Sequence, residues 1–237
     1  MKAVILAGGK GTRLRPYTVS FPKPLVPVGD YPILEVIVRQ LARQGFSDIT
    51  ISTGHLAELI EAYFGDGSRW DVKIDYVRER QPLSTAGALQ LLNDCPDHFL
   101  VMNGDVLTTL DYRAFFEEHM KRGAMASVAT AEREAMIDFG VVDVAADGSL
   151  AGWREKPRFP YDVSMGVYVI SEAARHLIVK GESLGMPDLL LRVKDGGGLV
   201  YCHRSECDWL DIGRVDDYQR AQEIFEHSPG LYLGDES

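Results

Sequence analysis

The groups in this chain best suited to chemistry are a cluster of cations set among glycines and two carboxylates far from them in sequence. Gly8-Gly9-Lys10-Gly11-Thr12-Arg13 follows at once on the apolar run Ala3-Val4-Ile5-Leu6-Ala7, which has the length of a buried parallel strand. Glycines at 8, 9 and 11 let the backbone turn sharply and bring bare N–H groups close to a ligand. Lys10, Arg13 and Arg15 add positive charge, and Lys23 sits between Pro22 and Pro24, which stiffen its surroundings. Such a segment is suited to a phosphate-bearing substrate. The first carboxylate is Asp105, placed where the apolar strand Phe99-Leu100-Val101-Met102 runs out into Asn103-Gly104. Ligands of open α/β sheets gather at the carboxyl ends of strands. The second is Asp211, in the run Trp209-Leu210-Asp211-Ile212, where a carboxylate is costly to bury without a cation or donors. Asp208, Asp216 and Asp217 compete with it, although the last two read as helix N-terminal residues.

The elements that must hold these groups are legible in outline. Apolar residues Ile33, Leu34, Ile37, Val38 and Leu41 have the spacing of a helix over 32–44, stopped by Gly45. Strands are expected at 49–52, 72–77 and 99–102, a helix at 56–64, and a loop over 80–88 that leads into a helix at 88–92. Strands alternating with helices imply a parallel sheet with right-handed crossovers. The second half reads as a helix at 112–122, strands at 126–131 and 163–170, and a hairpin of 140–144 with 150–154 around Asp147-Gly148. Helices at 171–179, with Ser171 as N-cap, and 186–194 precede a strand at 199–203, after which 209–213 is expected to close the sheet. A last helix at 216–227 leads into a mobile tail. The expected fold is α/β, a doubly wound, Rossmann-like mixed sheet with helices on both faces. It forms one domain over 1–228, in two halves of 1–110 and 111–228, with 229–237 as the tail.

Composition narrows the class. At 237 residues the chain can bury a substantial core, and 46% hydrophobic with 25% charged content is ordinary for a globular protein. A net charge of −10 argues against a general nucleic-acid binder, so an anionic substrate has to be met by local cations. Cys95, Cys202 and Cys207 form no C-x-x-C pair and suit a reducing compartment. With neither a signal-peptide pattern nor an apolar run of membrane length, a cytoplasmic protein away from membranes is expected, and a homo-oligomer is compatible with this.

The glycine loop fits neither common phosphate motif. A Walker loop needs a Gly-Lys-Ser/Thr ending, which is absent, and a Rossmann fingerprint read from Gly9 needs a glycine where Leu14 stands. What remains, L-A-G-G-x-G-T-R-L-x-P-x-T over 6–18 followed by P-K-P at 22–24, resembles the signature of sugar-1-phosphate nucleotidyltransferases. The resemblance extends in order through Asp138-Phe139-Gly140-Val141-Val142, Glu155-Lys156-Pro157 and Trp209-Leu210-Asp211-Ile212-Gly213. It implies a nucleotidyltransferase or GT-A-like fold, with 1–110 mainly a nucleotide-binding half and 111–228 mainly a sugar-binding half. The implied reaction is attack by a sugar-1-phosphate oxygen on the α-phosphorus of a nucleoside triphosphate, with release of pyrophosphate. Such a displacement asks a protein to align two anions and neutralise developing charge, so Mg2+ is implied as cofactor.

Roles come with the same resemblance. Asp105 and Asp211 would share the metal, Arg13 would meet the outgoing pyrophosphate and Lys23 the α-phosphate. The nucleotide would lie against Leu6, Ala7, Gly8, Gly9, Gly11, Thr12, Arg13, Gln81, Thr85, Gly87 and Asp105. Asn103, Gly140, Glu155, Lys156 and Ser164 would hold the sugar phosphate. Leu83-Ser84-Thr85-Ala86-Gly87-Ala88 looks closest to the L-G-T-A-G-A of mannose- and heptose-1-phosphate guanylyltransferases of the short, single-domain type, with Ser84 in place of a glycine. Ser164-Met165-Gly166 replaces a more usual Asn-Ala-Gly or Asn-Thr-Gly, which points to an altered sugar pocket. GTP is therefore the expected donor. The rivals are a uridylyl- or thymidylyltransferase for a glucose-like or amino-sugar phosphate and a non-catalytic sugar-nucleotide sensor. A glycosyltransferase of related architecture is disfavoured by the lack of a D-x-D.

Overall fold

The apolar run after Met1 offers water no polar face. In the computed structural model, which describes residues 1–234, it is the central strand β1 (Lys2–Ala7) of a mixed seven-strand sheet. The chain continues through the short pair β2 (Pro27–Val28) and β3 (Tyr31–Pro32), α1 (Ile33–Arg43), β4 (Asp48–Thr53), α2 (Ala57–Phe64), β5 (Lys73–Arg78) and α3 (Ser84–Gly87). Then come β6 (His98–Asn103), β7 (Val106–Thr108), α4 (Tyr112–Arg122), β8 (Ala126–Met136), β9 (Val141–Val144), β10 (Leu150–Arg154) and β11 (Arg158–Ser171). The remainder is α5 (Glu172–Arg175), α6 (Met186–Asp195), β12 (Val200–Arg204), β13 (Trp209–Asp211), α7 (Val215–His227) and α8 (Pro229–Leu233).

Sheet order is β12-β8-β11-β6-β1-β4-β5. β5, β4, β1 and β6 are parallel to one another, whereas β11 runs antiparallel to both β6 and β8. Helices cover both faces, which explains why the central strands have no polar alternation. Ala3, Ile5 and Ala7 of β1 pack with α1, α2 and α7, while Val4 joins the other layer with α5 and α6. α1 fits one face closely because its apolar spacing matches the helical repeat, leaving Ile33, Leu34, Ile37, Val38 and Leu41 at most 1% exposed.

The helix expected at 171–179 stops at Arg175, and the loop expected over 80–88 is already helical at Ser84–Gly87. Three further features of the fold differ from the sequence expectation. Residues 209–213 do not close the main sheet. Trp209–Asp211 instead pairs antiparallel with β7 in a separate ladder, Asp211 opposite Val106. The tail expected from 229 is, at Pro229–Leu233, a helical turn, because Tyr232 is an anchor. Its ring lies 5.7 Å from that of Phe225 and its carbonyl accepts a hydrogen bond from Arg43 Nη2 at 3.2 Å. The expectation for 235–237 lies outside the described residues. Finally, β8 and β11 run well past the sheet as a ribbon that carries the exposed hairpin β9–β10.

Candidate active site

Four parallel strands stop side by side, and the segments that leave them meet at one place. β1 runs into Gly8-Gly9, β4 into Gly54-His55, β5 into Glu79 and β6 into Asn103-Gly104-Asp105. With Lys23, Pro24 and the loop after β5 they enclose a cleft of about 790 Å³. Chain order reverses here, since β4 and β5 extend the sheet on one side of β1 and β6 on the other. Such switch points are where open α/β sheets bind ligands. Of the residues expected at the nucleotide, Leu6, Ala7, Gly8, Gly9, Gln81, Thr85 and Asp105 line the cleft, joined by Lys23 and by Asn103, which was expected at the sugar phosphate.

Gly11, Thr12 and Arg13 continue the loop beyond that lining, into a single 3-10 turn. Gly11 has φ +59°, its carbonyl accepts from Thr18 Oγ1 at 2.7 Å, and a Cβ there would stand 3.0 Å from the side chains of Lys23 and Thr18. Only glycine lets the loop close on Lys23. Gly87 is different. It is buried and outside the cleft lining, where a Cβ would come within 2.7 Å of the Glu182 carbonyl, so its missing side chain serves packing. Thr85 lines the cleft, but its hydroxyl already accepts from Met186 N at 2.8 Å.

The two predicted carboxylates come together through a device that the sequence does not display. Because β13 pairs with β7, and Ile212 N donates to the Asp105 carbonyl at 3.0 Å, Asp211 is held beside Asp105. Asp208 lies toward the far end of that ladder, its carbonyl accepting from Thr109 N. Lys23 Nζ forms an ion pair with Asp105 Oδ2. The other oxygen of Asp105, Oδ1, is buried and has no hydrogen-bond partner among the described residues. An orphaned carboxylate oxygen costs free energy unless something arrives to coordinate it.

Asp211 has solvent contact as a residue, yet its carboxyl is crowded. Partial burial and then the charge of Asp105 lift its pKa above the ordinary range, with Lys23 and Arg13 pulling the other way and Asp217 adding to the rise. Two adjacent carboxylates, Asp105 with a bare oxygen and Asp211 with its ionisation opposed by burial and its neighbour's charge, fit a divalent cation. Among the described residues no group of three or more ligating side chains exists. A hard ion of the Mg2+ type takes one or two carboxylates and completes its shell with substrate oxygens and water.

The remaining sugar-side expectations do not reach the cleft wall. Gly140, Glu155, Lys156 and Ser164 are absent from its lining. Gly140 and Glu155 meet instead on the hairpin, where Glu155 Oε2 accepts from Trp153 Nε1 at 3.2 Å, and Lys156 Nζ pairs with Asp138 Oδ1 at 2.8 Å. The Ser164 hydroxyl is taken up by Tyr168 OH at 3.0 Å and Gly166 N at 3.3 Å. Sequence reasoning passed over Glu79, Gly54 and His55. Their signal was positional, since each follows closely on the end of a strand, as Gly8 and Asp105 do.

Comparison with known proteins agrees with this geometry. The family model described as Nucleotidyl transferase matches residues 2–228. A UTP--glucose-1-phosphate uridylyltransferase of Synechocystis sp. is 33% identical over 99% of this chain and 69% of its own length. A D-glycero-alpha-D-manno-heptose 1-phosphate guanylyltransferase of Aneurinibacillus thermoaerophilus is 30% identical over 96% of this chain and 99% of its own. Among solved structures, a candidate glucose-1-phosphate thymidylyltransferase of Bacillus anthracis, in complex with a sucrose, superposes with a TM-score of 0.76 at 25% identity, covering 100% of this chain and 96% of that one.

Proposed function

The chain belongs to the nucleotidyl transferase family, whose members here transfer a nucleotidyl group onto a sugar 1-phosphate, and from that premise we propose a Mg2+-dependent guanylyltransferase for a heptose- or mannose-type sugar 1-phosphate. The observation that carries the reading is the buried, unpartnered Oδ1 of Asp105, beside Asp211 and across from Lys23. Bound Mg2+ would neutralise phosphate charge and hold the reacting oxygens in line, with Asp105 and Asp211 as its protein ligands.

The chain's own residues do the rest. In the free protein Lys23 neutralises Asp105. On substrate binding its ammonium turns to the α-phosphate, where charge builds as the sugar phosphate oxygen bonds to phosphorus and the bond to the pyrophosphate oxygen breaks. Arg13, on the same loop as Gly11, meets the departing pyrophosphate. Asn103, which lines the same cleft, would meet the sugar phosphate. Glu155, Lys156 and Gly140 contact the sugar once the hairpin lies over the cleft, and Ser164 shapes the pocket through Tyr168. The heptose guanylyltransferase of similar length supports the choice of GTP. No helix among the described residues is long and apolar enough to cross a membrane. Support for a cytoplasmic location comes from the three free thiols, which suit a reducing compartment.

Pyrophosphate release, assayed with each triphosphate against heptose-, mannose-, glucose- and amino-sugar 1-phosphates in Mg2+, tests the proposal. Turnover should be highest with GTP. Preference for UTP or dTTP would reassign the donor, and binding of nucleotide sugar without turnover would identify a sensor.

A further inference from the structure

For the Lys23 ammonium to leave Asp105 and reach a phosphate, the backbone that carries it must stay in place while the side chain turns. The stretch that leads into Lys23, 15–21, lies exposed except at Thr18. Anchorage comes from α7, at the other end of the chain. On one flank the Tyr218 ring lies 5.4 Å from that of Tyr17 and is inclined to it by 54°. On the other flank stands Gln222, which is 195 residues beyond Pro27. Its Oε1 accepts from Gly29 N at 2.8 Å, and its Nε2 donates to the Pro27 carbonyl at 3.0 Å and to Tyr218 OH at 2.7 Å. One amide thus ties the turn after Lys23 to the tyrosine that holds the loop before it. Phe225, on the next turn of the helix, lies against Gly29 as well.

We propose that Tyr17, Tyr218 and Gln222 clamp the Lys23 segment from both sides and so position its ammonium for the α-phosphate, an inference that rests on Lys23 meeting that phosphate and on no choice of base. α7 suits the task because its own start is fixed at the site. Ile212 N donates to the Asp105 carbonyl at 3.0 Å and Gly213 N to that of Asp211 at 2.8 Å, and the helix begins at Val215. The element that carries Asp211 into place therefore also holds the lysine opposite. Pro22 and Pro24 restrict the backbone on either side of Lys23, and its Cβ lies against Gly11. What these local features leave free is a swing of the whole segment, and the tyrosine pair and the Gln222 amide oppose it. A misplacement of about 1 Å can lower a rate by about a hundredfold. None of the three clamp residues lines the cleft, so they act through Lys23 and touch no reacting atom.

Steady-state kinetics with whichever triphosphate the wild type turns over best test the clamp. Tyr218→Ala should lower kcat by about tenfold or more and raise KM for the triphosphate, with KM for the sugar 1-phosphate within about twofold of wild type. Tyr218→Phe, which keeps a ring against Tyr17, should recover most of kcat. The decisive background is Lys23→Ala. Adding Tyr218→Ala there should lower kcat by no more than about twofold, because the group to be positioned is gone. Tyr17→Ala, on the exposed loop, repeats these comparisons if Tyr218→Ala fails to fold. An undiminished kcat in the single variants, equal rises in both KM values, or losses that multiply in full in the Lys23→Ala background would overturn the clamp and leave the transfer reaction intact. A Lys23→Ala variant with near-normal kcat would overturn the role of Lys23 itself, and the clamp with it.

Discussion

Acidification should unfold this protein through one histidine. His119 is fully buried and sits in a chain of contacts, its Nε2 2.8 Å from His98 Nδ1 and its Nδ1 2.7 Å from Ser127 Oγ. Burial first, and the neighbouring His98 second, push its pKa down from 6.5 to about 4. The folded state therefore resists a proton that the unfolded chain accepts from pH 6.5 downward. Stability from this group is complete above 6.5, is lost as pH falls toward 4, and is flat below. The full span amounts to about 3 kcal/mol, and about 2 kcal/mol is lost by pH 5. His203, also lowered by burial, adds loss in the same direction. The assay is urea unfolding of wild type and His119→Gln at pH 8 and pH 5. The variant starts lower because its packing is poorer, but its loss between the two pH values should be smaller than that of wild type by about 2 kcal/mol. Equal losses in both proteins would refute the reasoning.

Other expectations are more direct. Asp105→Asn and Asp211→Asn should each lower turnover by about a hundredfold or more while thermal unfolding stays cooperative. Near-normal rates in either would place the cation elsewhere. Ser84, at φ +64° in the cleft wall, carries a side chain where glycine fits better, so Ser84→Gly should gain roughly 0.5 kcal/mol in denaturant unfolding, and a loss would show that the serine side chain contributes more than the strain costs. Tyr232→Ala should cost about 3 kcal/mol by the same measurement, because it empties the contact with Phe225. A neutral result there would return Pro229–Leu233 to the status of a tail.

Much of the site was readable because its signal is local. A glycine-rich turn after an apolar strand, cations spaced around it and an aspartate at another strand end are all fixed within a few residues of chain. Helix α1 was readable for the same reason, its apolar stripe being a property of consecutive residues. The parts that were missed are non-local. Gly87 was expected against the nucleotide, and the space its missing side chain leaves faces the Glu182 carbonyl, which comes from almost a hundred residues further on. Glu79 gave no motif at all, and its position emerges only once Ser52, Leu83 and Gly8 surround it.

The order of residue types along the chain thus determined the alternation of strand and helix, the phosphate-binding turn and the family to which it points. Periodicity and backbone freedom act over a handful of residues, which is why they can be read in one dimension. Tertiary structure alone decided that β13 leaves the main sheet to pair with β7, carrying Asp211 to Asp105 and leaving one carboxylate oxygen bare. That choice depends on which distant backbone edges remain to be paired after the core is built, and strand partners are selected by shape and burial across space.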